Sequence, residues 1–304
     1  MTGRYAILPE RALIGIEGPD AKTFLQGIVT NDVTRIGPKK AIYAALLTPQ
    51  GKFLHEFVIA QTGAQPEVQT GETLLVDCEA ARRDDLIRRL TMYRLRAKAA
   101  IAPRDDLAVA AAFGEGALAA LDLPPEPGAA RILEGGGAAA TDPRLAALGA
   151  RIYAAPATIA TLGLTAAPAE DYDALRLALG VPDGSRDLTV EKATLLDNNF
   201  EELNGVDWKK GCYVGQEVTA RMHYRGLIRK RLLPVRIEGA MPEAGAPVTA
   251  GEKEVGEMRS ARDGEGLALL RLDALDGDAP LESGGATITP QVPDWLAPSL
   301  EERG

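Results

Sequence analysis

The sequence predicts an α+β fold that ends in a small all-β domain. Three observations lead there. Strand–helix–strand units alternate with hairpins over the first two-thirds of the chain, unlike the repeated strand–helix units of a doubly wound sheet. From residue 229 the pattern changes to short strands separated by glycine turns. No internal repeat at solenoid length is present.

Taken in order, residues 13–16 read as a strand. Pro19-Asp20 then opens a short helix over 21–26 that closes on Gly27. Residues 42–47 and 53–60 are strands joined by the turn Thr48-Pro49-Gln50-Gly51, so 41–60 is a hairpin. A further apolar strand covers 73–78. A helix over 80–92 follows, with Leu86, Leu90 and Tyr93 at helical spacing. Short strands are expected near 96–102 and 107–113. Residues 114–140 are rich in Ala, Gly and Pro and predict surface loops with little regular structure. Residues 170–180 form a helix, with Pro168 before it and Gly180 as its stop. Residues 181–207 carry no period and read as a long excursion, which in a compact domain usually has a job. The last strands are expected at 230–237, 246–249, 254–261, 266–272 and 286–289.

The 304 residues suffice for one large domain or two to three smaller ones, and 46% apolar content is the globular norm. A net charge of −9 argues against general nucleic-acid binding, which needs a dominant positive field. Two cysteines, Cys78 and Cys212, and two distant histidines, His55 and His223, cannot by themselves supply a four-ligand zinc or iron–sulfur site. No resident metal is expected. There is no apolar signal region and no apolar run of 18 residues, which predicts a soluble, cytoplasmic protein without membrane contact, monomeric by default.

Four segments could carry chemistry. In Lys210-Gly211-Cys212-Tyr213-Val214-Gly215-Gln216-Glu217, a thiol sits between glycines and just after two lysines. Glycines allow positive φ or close approach to a ligand, and neighbouring cations favour a reactive thiolate. Gln216 and Glu217 add an amide and a carboxylate that can hydrogen-bond a polar ring. The plainer alternative is a small buried thiol in a glycine turn. Second, residues 209–231 hold Lys209, Lys210, Arg221, Arg225, Arg229, Lys230 and Arg231 against Glu217 alone. This is either a patch for an anionic ligand or partner, or a solvated basic stretch. Third, Tyr172 and Arg176 lie four apart on one helix face. They can stack a flat heterocycle and pair an anion, or pack into the core with Arg176 at the rim. Fourth, Thr30-Asn31-Asp32 is turn and cap chemistry. His55 and Glu56, adjacent in a strand, point to opposite faces.

The thiol segment, followed by Ala220-Arg221 and Tyr224-Arg225-Gly226, closely resembles the signature of the YgfZ family, a relative of the glycine cleavage system T-protein (aminomethyltransferase). The resemblance extends to Phe24-Leu25-Gln26-Gly27 with Thr30-Asn31-Asp32, to Gln50-Gly51-Lys52 and to Tyr93-Arg94-Leu95-Arg96, so it covers most of the chain. It implies a T-protein-like cloverleaf of two interlaced α+β subdomains plus a C-terminal antiparallel β-barrel. The division would be a folate-binding region over 1–225 and a barrel over 226–304. It also implies tetrahydrofolate, or a one-carbon derivative, in a central channel. The implied contacts are Tyr172, Arg176, Lys210, Gly211, Tyr213, Gly215, Gln216, Glu217, Asn31 and Arg221. The implied role is accessory: assembly or repair of four-iron clusters, with iron–sulfur client enzymes or cluster carriers as partners and Cys212 as the working group. Two departures steer away from the alternative, folate-dependent aminomethyl transfer, and from a conventional enzyme. Ala178 stands where the T-protein helix has its pterin-binding acid, and only Glu56 is offered in place of a critical Asp.

Overall fold

The computed structural model describes residues 3–63, 73–275, 277 and 279–301. The chain divides into two compact units, each woven from separated stretches. The first takes Met1–Leu47, Leu54–Tyr172 and Leu203–Val214; the second takes Thr48–Phe53, Asp173–Glu202 and Gly215–Gly304.

The first unit holds two sheets. One has five strands in the order Ile42–Leu47, Phe53–Gln61, Thr73–Glu79, Arg11–Glu17 and Ala100–Pro103. The other has six, in the order Thr165–Ala166, Arg4–Ile7, Ala108–Phe113, Ala150–Ala154, Ala138–Thr141 and Ala130–Ile132. The chain starts in the six-stranded sheet at Arg4–Ile7, crosses to the five-stranded sheet, and returns at Ala108–Phe113. The two subdomains are therefore interlaced. Ile42–Leu47 and Phe53–Gln61 are buried at every position; the first is a continuous apolar run, whereas the second also buries His55, Glu56 and Gln61. Helix Arg83–Arg94 turns Leu86 and Leu90 inward, four residues apart, which is the spacing read from the sequence.

The alanine-rich region departs from expectation. Residues 114–140 contain helix Ala117–Ala120 and strands Ala130–Ile132 and Ala138–Thr141. Alanine has weak strand preference and gives no period-two pattern, so such strands are invisible locally. Tertiary packing makes them: Ala110, Ala112, Ala139, Ala150 and Ala154 are all buried in one cluster with Leu121, Leu133, Ile152 and Ile159.

The second unit contains a closed antiparallel barrel. Its strand order is Lys230–Glu238, Glu265–Arg271, Lys253–Arg262, Pro247–Ala250, Leu281–Ser283 and Ala286–Pro290, closing back on Lys230–Glu238. Leu233, Val235 and Ile237 alternate into its core beside Val255, Met258 and Ile288. Leu232, on the other face, packs with Leu267, Leu269 and the helical Leu177. The strand Leu281–Ser283 has no counterpart in the sequence reading, because three residues are too few to show alternation. Its Gly284-Gly285 link to Ala286–Pro290, with φ of +58° and +83°, is a two-residue hairpin signal that was present.

Candidate functional site

The Cys212 loop is seated from below by two short segments far away in sequence. Thr30 donates its hydroxyl to the Gly205 carbonyl at 2.6 Å and accepts from the Ala45 amide at 2.8 Å. Asn31 donates its side-chain amide to the carbonyls of Tyr43 (2.8 Å) and Asn204 (2.7 Å). Asp32 caps the one-turn helix Val33–Arg35 by accepting from the Thr34 amide. Arg35 pairs with Asp207 at 2.9 Å, and Asp207 in turn accepts the Lys209 amide at 2.7 Å. Residues 203–209 are thereby fixed.

Gln26 and Lys210 then lock reciprocally. Gln26 Nε2 donates to the Lys210 carbonyl at 3.2 Å, and Lys210 Nζ donates to the Gln26 carbonyl at 2.6 Å. The Lys210 ammonium also lies 5.1 Å from the Tyr213 ring centroid. Burial lowers the Lys210 pKa to about 8, against the pull of Asp32 and Asp207. Tyr213 is itself buried. Between these two anchors, Gly211 adopts φ +93°, and a Cβ there would meet nothing within 4 Å. Its glycine is required by backbone conformation and not by crowding. Cys212 is exposed as a free thiol, whereas Cys78 is buried and burial pushes its thiol up to about 12. Of the two sequence alternatives for Cys212, the geometry is that of a presented group.

The rest of the motif belongs to the second unit. Gly215, at φ +81°, caps the helix Gln216–Tyr224, whose Glu217 and Arg221 are exposed and whose Thr219 is buried. The hairpin tip Thr48–Phe53 packs on the first turn of this helix. A Cβ on Gly51 would lie 2.8 Å from the Gly215 carbonyl and 2.8 Å from Val218 Cβ. Gln50-Gly51-Lys52 thus marks a close backbone approach. Arg231 is not part of any surface patch: it is fully buried and held by Glu202, Asn199 and the Leu196 carbonyl. Arg221, Arg225, Arg229 and Lys230 remain exposed. Arg176 is buried, donating to Asp173 (2.7 Å), Asp187 (2.6 Å) and Ser260 (3.0 Å).

Tyr172 lies in the first unit within a buried charge network that the sequence did not reveal. Its hydroxyl accepts from Arg144 at 3.2 Å and Arg151 at 3.4 Å and donates to Asp142 at 3.4 Å. Arg151 lies 5.4 Å from the ring centroid, and Phe113 packs at 5.7 Å. Arg151 and Tyr153 continue the network to Asp77, which takes Arg11; Arg11 takes Glu56. Burial opposes the charge on Asp142, but Arg144 and Arg151 outweigh it and hold the carboxyl well below its usual range. Glu56 faces this network while His55 faces Asp85 at 2.9 Å, so the two do point opposite ways.

These geometries bear on folate. Tyr172 has one face under Arg151 and only a sliver of exposed surface, and the donors of Arg176 and Asn31 are spent on protein acceptors. All three side chains are thus engaged by protein groups in this structure. Gln216, Glu217 and Arg221 supply an amide, a carboxylate and a guanidinium with accessible surface. Among the described residues, no group of three or more His, Cys, Asp or Glu is placed to hold a metal ion.

Residues 229–298 match the C-terminal β-barrel domain of CAF17. The iron–sulfur cluster assembly factor IBA57 of mouse mitochondria is 34% identical over 95% of this chain and 84% of its own length. The human mitochondrial IBA57 is 35% identical with the same coverage. The chain belongs to the IBA57 family of iron–sulfur cluster assembly factors. The crystal structure of aminomethyltransferase T of the glycine cleavage system from Bartonella henselae aligns at a TM-score of 0.76 over 97% of this chain and 86% of its own. At 14% identity that likeness concerns fold alone, and it establishes the T-protein fold.

The IBA57 relatives are mitochondrial, which overturns the expectation of a cytoplasmic protein. That expectation rested on missing apolar runs. Mitochondrial targeting segments are amphipathic and Arg-rich, so hydropathy does not register them. No helix among the described residues is long and apolar enough to cross a membrane.

Proposed function

We propose that this chain is an accessory factor for iron–sulfur cluster assembly and that Cys212 is its working group. The carrying observation is the exposed thiol held between two anchors, Lys210 and Tyr213, on a loop whose glycine has no other steric purpose. A group so placed meets something that another protein brings, a cluster or a client. Family membership supports the same role, since the relatives are iron–sulfur cluster assembly factors. Deleting the gene should lower the activity of several four-iron enzymes, more so under oxidative stress. Unchanged activities in both conditions would refute the proposal.

Reduced folate is the ligand that the motif resemblance implies, and the T-protein fold is compatible with it. The residues able to hold it are Gln216 and Glu217, for the polar edge of a pterin, and Arg221, for the carboxylates of the tail. Calorimetric titration with tetrahydrofolate should give saturable binding that weakens at least tenfold in Arg221→Ala. Absence of binding at millimolar folate would remove it from the account.

Aminomethyl transfer is disfavoured. Glu56, the acid offered in place of the T-protein's critical Asp, is buried and paired with Arg11 at 2.5 Å, and position 178 is alanine. A carboxylate committed to an arginine is a poor general base.

A further inference from the structure

The end of helix Arg83–Arg94 combines three features that its role in the fold does not require. Met92 is 67% exposed and Leu95 is 87% exposed, three residues apart. Leu86 and Leu90 already supply the buried face of this helix, so Met92 and Leu95 are surplus to its packing. Leu95 also adopts φ +46°, ψ −107° at the helix C-terminus. Glycine is the residue suited to that conformation, and a leucine there is strained. A fully exposed, strained leucine contributes nothing to the folded chain that would compensate its strain.

The third feature is charge. Residues 86–99 include Arg88, Arg89, Arg94, Arg96 and Lys98 and no acid, in a chain of net charge −9. Arg88 and Arg89 are taken by Asp85, and Arg94 donates to the Ala99 carbonyl at 3.2 Å. Arg96 and Lys98 are exposed and their side chains have no acidic partner among the described residues. The nearby Asp20 is spent on the Lys98 backbone amide at 2.7 Å.

We propose that Met92 and Leu95, flanked by Arg96 and Lys98, form a docking surface for an acidic protein segment that carries apolar side chains among its carboxylates. The two apolar groups would supply the anchor, and the two cations the orientation and the encounter rate. A protein is favoured over an anionic membrane because only two apolar side chains are offered, too few for interfacial insertion. The surface does not involve the Cys212 loop and stands whether or not that loop acts as proposed above.

The test uses the full chain and a fluorescein-labelled 16-residue synthetic peptide, rich in Glu, with two Leu one helical turn apart. Fluorescence anisotropy at low salt should show saturable binding. Arg96→Glu/Lys98→Glu should weaken it at least tenfold, and Met92→Ser/Leu95→Gly at least fivefold, while the melting temperature of the latter does not fall. Replacing the peptide's leucines by serine should weaken binding equally, and Cys212→Ser should leave it unchanged. No saturable binding, or binding indifferent to the leucines on both sides, would overturn the proposal. So would a drop in melting temperature for the Leu95 variant, or stronger sedimentation with phosphatidylserine vesicles than peptide binding.

Discussion

Two polar regions of the first unit meet opposite fates. The network of Arg11, Glu56, Asp77, Asp142, Arg144, Arg151 and Tyr172 is buried, balanced in charge and satisfied by its own members. The Lys210–Tyr213 loop is satisfied only underneath, and its middle residue, Cys212, is left to solvent. Residue types alone would rank the network as the more chemical of the two. Their partners separate them: the network's groups already hold one another, whereas the Cys212 thiol is exposed.

The comparison breaks first at the network. Arg151→Ala leaves Asp77, Asp142 and Tyr172 buried with one partner fewer. Loss of one member of a buried ion pair costs about 3–5 kcal/mol. Urea unfolding of this variant should show that loss, or no folded protein at all. A loss under ~1 kcal/mol would mean that the network is open to water and able to bind.

A second buried group gives a pH signature. Burial, with Arg82 beside it, lowers the His55 pKa from 6.5 to about 4. The unfolded chain takes up that proton near the ordinary value, while the folded chain resists until about pH 4. The His55 contribution is therefore complete above pH 6.5 and is lost as pH falls from 6.5 toward 4, by roughly 3 kcal/mol at most. His55→Gln should flatten that part of the stability profile relative to the unsubstituted protein.

Two glycines sharpen the contrast between packing and presentation. Gly51→Ala drives a Cβ into the Gly215 carbonyl and Val218 and should cost more than about 2 kcal/mol. Gly211→Ala meets open space and should cost only its backbone strain, about 1 kcal/mol. Equal costs, measured by thermal unfolding, would mean that the Cys212 loop is packed and not presented.

Gln26→Ala removes one side of the lock on Lys210 and should cost about 1 kcal/mol. Iodoacetamide should label Cys212 in the native protein, at a rate altered by Gln26→Ala, and spare Cys78 in both proteins.

Much of this fold was legible in sequence because it rests on local rules. The helix at Ala21–Gln26 and the strand at Ile42–Leu47 fall where the turn residues and apolar run put them. The alanine strands were not, since their burial comes from sheet packing alone. Within the site, the glycines and the thiol were visible, but the exposure of Cys212 was not. Spacing favoured a buried thiol, whereas in the structure Gln26 holds Lys210, Thr30 and Asn31 hold Gly205 and Asn204, and the thiol is exposed. The Gln26–Lys210 exchange spans 184 residues, and nothing in either segment announces the other.

The most direct measurement is Cys212→Ser, introduced in place of the natural gene and assayed for four-iron enzyme activity alongside the melting temperature of the purified protein. The thiol is exposed, so stability should stay within about 0.5 kcal/mol of the unsubstituted chain. Client activity should fall to the level of the deletion. Full client activity with a normally folded variant would show that the presented thiol is not the working group.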